Sequence, residues 1–150
     1  MAVEYRVLGQ GDFDLMNQLL DCFGHAFDEM NTYFDARPSR EYFSRLLGSD
    51  SFIAIVAILN GDVVAGLAAY VLMKFEQQRS EVYIYDLAVD ENYRRQGIAT
   101  GLIHSLKPIA QAKGAWVIYV QADYVDEPAV ALYEKLGVKE EVLHFDLSLI

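Results

Sequence analysis

Hydrophobic and polar residues recur with two different periods along this chain, and the change of period marks strands and helices. Alternation over residues 4–8 predicts a first strand. Apolar residues from Phe13 to Phe23 recur at helical spacing, and Gly24 is the expected end of that helix. Residues 25–38 mix aromatic and acidic side chains without a period. That stretch indicates a loop or broken helix suited to a lid or to one wall of a cleft.

The middle of the chain predicts a short helix and three consecutive strands. The helix covers residues 39–47, and two apolar strands follow at residues 52–59 and 63–73. Asn60-Gly61 joins them and favours a type I′ hairpin turn, because both central residues of that turn need positive φ. Residues 81–89 predict the next strand, which is central. The three strands should therefore form an antiparallel meander.

The last third alternates helices with strands. Residues 97–113 predict a helix in which Pro108 should cause a kink or an early end. Residues 115–121 predict a buried strand, residues 127–136 a further helix, and residues 142–147 a last alternating strand.

This order of elements is mixed α/β, a central mixed sheet flanked by helices, and we expect one domain over residues 1–150. Hydrophobic residues make up 53% of the chain, which excludes a disordered protein. No apolar run is long enough to span a membrane. Cys22 is the single cysteine and cannot form an internal disulfide. We therefore expect a cytoplasmic enzyme or binding domain.

The net charge of the chain indicates which classes of partner it can bind. The formal net charge is -10, from 22 acidic and 12 basic residues, which disfavours nucleic acid and anionic membranes as partners. Acids are concentrated between Asp123 and Asp146. This concentration predicts a cationic partner, although a role in solubility alone stays open. His25, His104 and His144 are too scattered to predict a metal site.

The junction between residues 81–89 and the following helix predicts an anion site. A helix N-terminus offers free backbone N–H groups, and here Arg94, Arg95 and Gly97 lie beside it. Phosphate is the anion that such a turn binds well. The alternative is an exposed basic loop that offsets nearby acids.

Asp86 is out of place in a regularly alternating strand. Strict alternation puts it on the same face as Val82 and Ile84, where an unpaired carboxylate is costly to bury. A β-bulge would turn it into a cleft. We interpret Asp86 as a general base or as the group that holds an attacking amine, directly or through water. The alternative is a structural carboxylate that accepts backbone hydrogen bonds.

The pattern Arg94-x-x-Gly97-x-Ala99, after a strand ending in Leu-Ala-Val, resembles the pyrophosphate-binding signature of the GNAT superfamily of acetyl-CoA-dependent N-acetyltransferases. The resemblance implies the GNAT fold, in which the fourth and fifth strands splay apart around acetyl-CoA, the cosubstrate. It also implies a bulge in the central strand that frees backbone groups for the pantetheine arm and the thioester. The residues that would contact acetyl-CoA are Leu87, Ala88, Val89, Arg94, Arg95, Gln96, Gly97, Ile98, Ala99 and Thr100.

A second segment supports this resemblance. Residues 126–137 are similar to the GNAT helix whose tyrosine hydroxyl lies near the coenzyme A sulfur, which makes Tyr133 the implied general acid. The family commonly has Asn where this chain has Asp126. The alternative for Tyr133 is an aromatic of the core.

Longer stretches resemble one group within the superfamily, the aminoglycoside 3-N-acetyltransferases of the gentamicin type. They include Arg79-Ser-Glu-Val-Tyr-Ile-Tyr-Asp-Leu-Ala-Val89, Val117-Ile-Tyr-Val-Gln-Ala-Asp-Tyr124 and Glu140-Glu-Val-Leu-His-Phe-Asp146. The resemblance implies direct acetyl transfer, in a ternary complex, to the 3-amino group of an aminoglycoside antibiotic, with resistance as the result. Such a substrate is a polycation and suits the acidic residues.

The candidate substrate-binding residues are Asp28, Glu29, Tyr85, Asp123, Glu127, Glu140, Glu141, His144 and Asp146. Polyamines and basic peptides would satisfy the same carboxylates and stay open as substrates. A sensor that binds acetyl-CoA without turnover also stays open, although such a protein needs neither Asp86 nor Tyr133. A homodimer through the last strand or the early helices is compatible with the superfamily.

Overall fold

The computed structural model describes residues 2–150, and its centre is one five-stranded mixed sheet with the order β1-β2-β3-β4-β5. The first four strands pair antiparallel with their neighbours, and β5 joins β4 in parallel. The predicted meander is thus confirmed in β2, β3 and β4. The strands are β1 (Glu4–Val7), β2 (Phe52–Leu59), β3 (Asp62–Met73), β4 (Ser80–Val89) and β5 (Ala115–Val120).

Helices cover the two faces of the sheet. The helices are α1 (Phe13–Ala26), α2 (Met30–Phe34), α3 (Arg40–Leu47), α4 (Ile98–Ala112) and α5 (Glu127–Leu136), with a 3₁₀ turn at Glu91–Tyr93. Side chains of α1 and α3 form one core with one face of the sheet, where Ala68 and Ala88 lie. Side chains of α4 form a second core with the opposite face, where Leu67 and Ile84 lie. The apolar stripes of these helices supply both cores.

The hairpin between β2 and β3 has the predicted turn. Asn60 has φ 53° and Gly61 has φ 84°, so both central residues are left-handed, as a type I′ turn requires. The turn sets the register of the strands that lead to the centre of the sheet.

Gly24 does not end α1, contrary to prediction, since the helix continues to Ala26. Its lack of a side chain serves packing instead, because a Cβ at Gly24 would collide with the ring of Phe34. Phe34 ends α2, so the segment predicted as a loop or broken helix is a broken helix folded against α1.

Pro108 does not end α4 early. The helix continues to Ala112, and Pro108 lies on its exposed side. There the carbonyl that loses its backbone donor can bond to water, so the proline is tolerated.

The end of the chain differs most from prediction. The predicted buried strand β5 is only half-buried, and residues 142–147 form no strand. We call residues 138–150 the C-terminal arm. All of its residues are exposed, and none lies in a helix or strand. Alternation favours an extended conformation, but a strand also needs a partner strand, and among residues 2–150 no strand pairs with the arm.

Candidate active site

The turn before α4 presents backbone amides to open space. Gly97 precedes the helix with φ 78°, and no side chain caps the helix there. A Cβ built on Gly97 meets no heavy atom within 4 Å. Arg95 is also left-handed, with φ 63°, and Arg94 Nε donates to the Val89 carbonyl at 3.1 Å, which ties the turn to the end of β4. Free amides, the helix dipole and two guanidinium groups suit a pyrophosphate. The remaining predicted contacts, Gln96, Ile98, Ala99 and Thr100, lie on the same turn.

β4 and β5 diverge midway along β4. Their pairing ends where Ile84 meets Val120, whereas β4 continues to Val89. Leu87, Ala88 and Val89 pair with β3 on one side only. Their other edge therefore leaves backbone groups available to an extended ligand, in line with the arrangement that the sequence resemblance implied.

A β-bulge turns Asp86 to the face of the sheet that carries α1. Ala69 of β3 lies opposite Ile84, while the next β3 residue inward, Ala68, lies opposite Asp86, so Tyr85 has no partner. Ala68 belongs to the core of α1 and α3, whereas Ile84 belongs to that of α4. The bulge thus puts Asp86 on the face opposite Ile84.

Asp86 is a partly buried carboxyl group with a tyrosine partner. The Tyr33 hydroxyl donates to Asp86 Oδ2 at 2.8 Å. Burial raises the pKa of Asp86 and the nearby Glu29 charge adds to the rise, while the hydrogen bond from Tyr33 opposes it. A carboxylate with a raised pKa is a better base, and this group can therefore accept a proton from a bound amine.

Tyr33 is held in place by aromatic contacts with the end of α1 and by Arg37, which follows α2. Its ring lies 5.9 Å, centroid to centroid, from both Phe23 and Phe27. Arg37 Nε donates to the Tyr33 carbonyl at 2.9 Å, and Arg37 also pairs with Asp21 of α1. The sequence pattern indicated a lid or wall here but gave no signal that singled out Tyr33.

A row of tyrosines crosses three neighbouring strands beside Asp86. Tyr70 contacts Tyr85 at 5.7 Å between ring centroids, Tyr85 contacts Tyr83 at 5.8 Å, and Tyr83 stacks on Tyr119 at 4.7 Å. We call these four residues the tyrosine row. Tyr85 is 61% exposed. The row is an open aromatic surface on which rings or cations can stack. Of its members, only Tyr85 was predicted as a site residue.

Tyr133 lies on α5, and its ring packs against the core beneath α4. Burial raises the pKa of Tyr133 to about 12, and the charge of Asp126 adds to the rise. The phenol is therefore protonated at neutral pH and can donate a proton or a hydrogen bond.

The predicted acidic residues are spread over three places. Glu29 is close enough to raise the pKa of Asp86, and Asp28 precedes it in the loop before α2. Asp123 and Glu127 are exposed in and after the loop that follows β5. Of these four residues, only Glu29 lies close enough to affect the pKa of Asp86.

The remaining predicted residues lie on the C-terminal arm. Glu141 accepts a hydrogen bond from Tyr124 at 2.8 Å, and His144 Nε2 lies 2.9 Å from Asp146 Oδ1. Glu140 is also exposed. None of the four shares a hydrogen bond or ion pair with Asp86 among the residues described. Hydrogen bonds and ion pairs among the described residues therefore do not gather the predicted acidic residues around Asp86.

Residues 2–150 contain neither a cluster of metal ligands nor a membrane-spanning helix. That part of the chain contains no group of three His, Cys, Asp or Glu side chains able to hold a metal ion. Nor does any helix within it have the length and apolar character needed to cross a membrane.

The chain was compared with known proteins. A relative from Saccharolobus solfataricus, an N-alpha-acetyltransferase, is 29% identical over 140 residues, which cover 86% of this chain and 81% of the relative. A crystal structure of an aminoglycoside acetyltransferase from an uncultured soil metagenomic sample is 55% identical, with a TM-score of 0.98 and full coverage of both chains. A second such enzyme from a soil metagenomic sample, in complex with sisomicin, is 34% identical, with a TM-score of 0.90 over 99% of this chain and 97% of the other.

The family comparison covers most of the chain. Residues 14–138 match the model of the acetyltransferase (GNAT) family. The five-stranded mixed sheet with its flanking helices is the fold of that family. This protein therefore belongs to the GNAT family of N-acetyltransferases, which use acetyl-CoA.

Proposed function

We propose that the protein transfers acetyl from acetyl-CoA to an aminoglycoside, at the 3-amino group, and so confers antibiotic resistance. The observation that carries this proposal is the placement of Asp86 beside an open tyrosine row, at the point where β4 leaves β5. The 55% identity to an aminoglycoside acetyltransferase supports the substrate class. We further propose that residues 1–150 act as one cytoplasmic domain.

The geometry supports a defined place for each part of acetyl-CoA. The amides that follow Gly97, with Arg94 and Arg95, would hold the pyrophosphate. The unpaired edge at Leu87–Val89 would bind the pantetheine arm and orient the thioester. This arrangement brings the acetyl carbon to the end of the gap between β4 and β5, near the bulge that turns Asp86.

The chemistry is a direct transfer. The amine nitrogen attacks the thioester carbonyl carbon, a C–N bond forms, and the C–S bond breaks. Asp86 takes the proton that the amine loses, directly or through water, and its raised pKa suits this role. Tyr133 gives a proton to the departing sulfur, since its phenol is protonated at neutral pH. Holding both substrates together provides the rate advantage of proximity.

The substrate surface favours a cationic ring system. Sugar rings can stack on the exposed Tyr85, and the ammonium groups can pair with Asp28, Glu29, Asp123 and Glu127. A linear polyamine would use the same carboxylates and could place ammonium groups over the tyrosines, but it has no ring faces to stack on them. The row is thus the feature that favours an aminoglycoside over spermidine.

A second candidate is acetylation of a protein or peptide N-terminus. Its support is the similarity to the N-alpha-acetyltransferase of S. solfataricus. The same base and acid would serve this reaction. The two candidates differ in the acceptor, so turnover separates them.

The test is release of free coenzyme A thiol from acetyl-CoA by the purified protein. Sisomicin, gentamicin, spermidine and a peptide with a free N-terminus are offered at equal concentration. The proposal predicts turnover with the aminoglycosides far above the rest. A preference for the peptide or spermidine would replace the proposed substrate, and acetyl-CoA binding without any turnover would indicate a sensor.

A further inference from the structure

Arg37 ties the segment that carries Tyr33 to α1. Its Nε donates to the Tyr33 carbonyl at 2.9 Å, one terminal nitrogen donates to the carbonyl and the side-chain oxygen of Asn17, both at 3.2 Å, and the other donates to Asp21 at 2.5 Å. The guanidinium also lies 4.5 Å from the centroid of the Phe34 ring. A planar guanidinium presents its donors in a fixed fork, which a lysine ammonium does not. One side chain therefore joins α1 to the end of α2.

α2 depends on contacts of this kind, because it has little to hold it in place by itself. The helix has five residues, none of them buried, and no side chain caps its first turn. An isolated helix of that length is not stable in water. Arg37 bonds to a carbonyl of its last turn, where backbone acceptors lack helical partners. Phe34 packs against Gly24 of α1, and the Arg37 guanidinium lies over its ring. The position of Tyr33 is thus set by the attachment of α2 to α1.

Tyr33 connects this segment to the proposed base. Its hydroxyl donates to Asp86 Oδ2 at 2.8 Å, and no other group among residues 2–150 donates a hydrogen bond to that carboxyl group. Oδ1 is therefore the oxygen left for a bound amine. Within the described part of the chain, this is also the only hydrogen bond between α2 and the sheet. The orientation of the carboxyl group therefore depends on where α2 lies.

We propose that Arg37 is a positioning residue of the active site, which fixes Tyr33 on one oxygen of Asp86 and so leaves the other oxygen for the acceptor amine. The proposal rests on the proposed function, because it takes Asp86 as the base. Arg37 forms no hydrogen bond or ion pair with Asp86 among residues 2–150, so it acts through Tyr33. Its role requires the geometry of its hydrogen bonds as well as its charge.

Loss of Arg37 should change Asp86 by way of Tyr33. Burial and the Glu29 charge raise the pKa of Asp86, and the hydrogen bond from Tyr33 lowers it. If α2 loosens and this hydrogen bond is lost, the pKa of Asp86 should rise. A direct effect of the Arg37 charge would have the same sign, but it would persist after Tyr33 has lost its hydroxyl. The two explanations therefore differ in a double variant.

The other groups around Asp86 are phenols and one acid. The charge of Asp86 raises the pKa of Tyr70 on β3 and of Tyr83 on β4, and Tyr85 lies between them in the tyrosine row. Phenols ordinarily ionise far above the range in which carboxyl groups titrate. Glu29, before α2, is the one carboxyl group among them, and Glu29→Gln separates its charge from the effect of Arg37.

The first test measures the pKa of Asp86 without any acceptor. NMR of the carbon-13-labelled side-chain carboxyl carbon follows the titration, and Asp86→Asn assigns the signal. Tyr33→Phe should raise the pKa, Arg37→Ala should raise it by no more than Tyr33→Phe does, and the double variant should show no further rise. Arg37→Lys keeps the charge but loses the fork, so it should behave like Arg37→Ala.

Arg40→Ala is the matched control. Arg40 also lies over an aromatic ring, that of Phe13 at 4.3 Å, but it forms no hydrogen bond or ion pair with α2 among residues 2–150. Its loss should leave the pKa of Asp86 unchanged. Glu29→Gln should lower that pKa, and Arg37→Ala should still raise it in the Glu29→Gln background.

Two further variants reach the same link if Arg37→Ala does not fold. Asp21→Ala removes one acceptor of the fork from α1 and should raise the pKa of Asp86 by less than Tyr33→Phe. Gly24→Ala leaves Arg37 intact but pushes Phe34 away from α1, because the new Cβ would collide with its ring, and it should also raise that pKa.

Three results would overturn the proposal. They are a native pKa of Asp86 in the folded variants that lack these contacts, a shift in the double variant equal to the sum of the two single shifts, and full rescue by Arg37→Lys. The second and third would show that Arg37 acts through its charge alone. Circular dichroism of each variant verifies that it is folded.

Turnover with acetyl-CoA and sisomicin then tests the role in catalysis. Arg37→Ala should move the acidic limb of the kcat/KM profile to higher pH and leave the KM for acetyl-CoA unchanged, and the double variant should match Tyr33→Phe. An unmoved limb in a variant whose NMR titration has moved would contradict a role of Arg37 in catalysis. If no acceptor is acetylated, the proposed function fails, while the NMR titration still decides whether Arg37 fixes Asp86.

Discussion

Residues 2–113 and residues 114–150 differ in how far their side chains are buried. Among residues 2–150, every buried apolar side chain lies between Leu8 and Ala110, where one core packs on each face of the sheet. Beyond that region β5 and α5 contain no buried residue, and the arm is wholly exposed. The first region is thus a complete packed scaffold. The second region depends on the first for its burial.

The residues that we propose for catalysis lie in both regions. Asp86, the proposed base, and the turn before α4, the proposed coenzyme site, lie in the packed region, where burial and a fixed backbone can tune a pKa and hold amides in place. Tyr133 lies in the second region, on a helix packed along one side only. A packed base beside a less buried helix would suit the bulky acceptor that we propose.

The largest expected effect is on catalysis in the packed region. Asp86→Asn should lower kcat/KM by about 10²–10⁴-fold, the usual contribution of a positioned base. Because the pKa of Asp86 is raised, the wild type loses its base as the pH falls through that pKa, and the ratio of wild-type to variant activity should grow with rising pH until Asp86 is fully ionised. A ratio that is independent of pH would indicate that Asp86 only positions the amine.

Two leucine-to-alanine substitutions, one in each region, measure the difference in packing as a difference in unfolding free energy. Leu102→Ala removes a side chain with no exposed surface and should cost about 2–5 kcal/mol of unfolding free energy. Leu136→Ala, at a half-buried position of α5, should cost about 1 kcal/mol. Urea unfolding at one fixed protein concentration measures both. Equal costs would show that the second region is as well packed as the first.

Tyr133→Phe should lower kcat by about tenfold and leave the KM for acetyl-CoA nearly unchanged. The effect is below the usual range for proton transfer, because a thiolate is a good leaving group and can depart before it is fully protonated. Steady-state kinetics with a saturating acceptor measures it. An unchanged kcat would remove Tyr133 from the mechanism.

Tyr33→Phe should give the smallest effect, a shift of the pH profile. The hydrogen bond from Tyr33 lowers the pKa of Asp86, so its loss should raise that pKa further. The acidic limb of the kcat/KM profile should then move to higher pH, with little change at its plateau. Tyr42→Phe, at an exposed position of α3, is the control. An unmoved limb in the Tyr33 variant would contradict the coupling.

Much of this architecture follows from local pattern. Asn60-Gly61 identified its hairpin, and the misfit of Asp86 in an alternating strand pointed to a bulge that the sheet contains. The predicted helix end at Gly24 and the predicted early end at Pro108 were wrong, because a glycine that admits a ring and a proline that faces water look the same in sequence as residues that end helices.

Other features depend on contacts between distant parts of the chain. Tyr33 meets Asp86 only because α2 folds back on α1, and no spacing records that contact. The C-terminal arm shows that the strand partner of a segment also cannot be predicted from its own sequence. Its alternation predicted a strand over residues 142–147, but a sequence does not say which edge a strand joins, or whether that edge belongs to the same chain.

The central claim is best tested by the structure of the product formed from sisomicin and acetyl-CoA. The product is purified, and its acetylated nitrogen is identified by mass spectrometry and NMR. We predict a single acetyl group on the 3-amino nitrogen of the 2-deoxystreptamine ring. Acetyl on any other nitrogen would contradict the proposed position, and unmodified sisomicin after prolonged incubation would contradict the function itself.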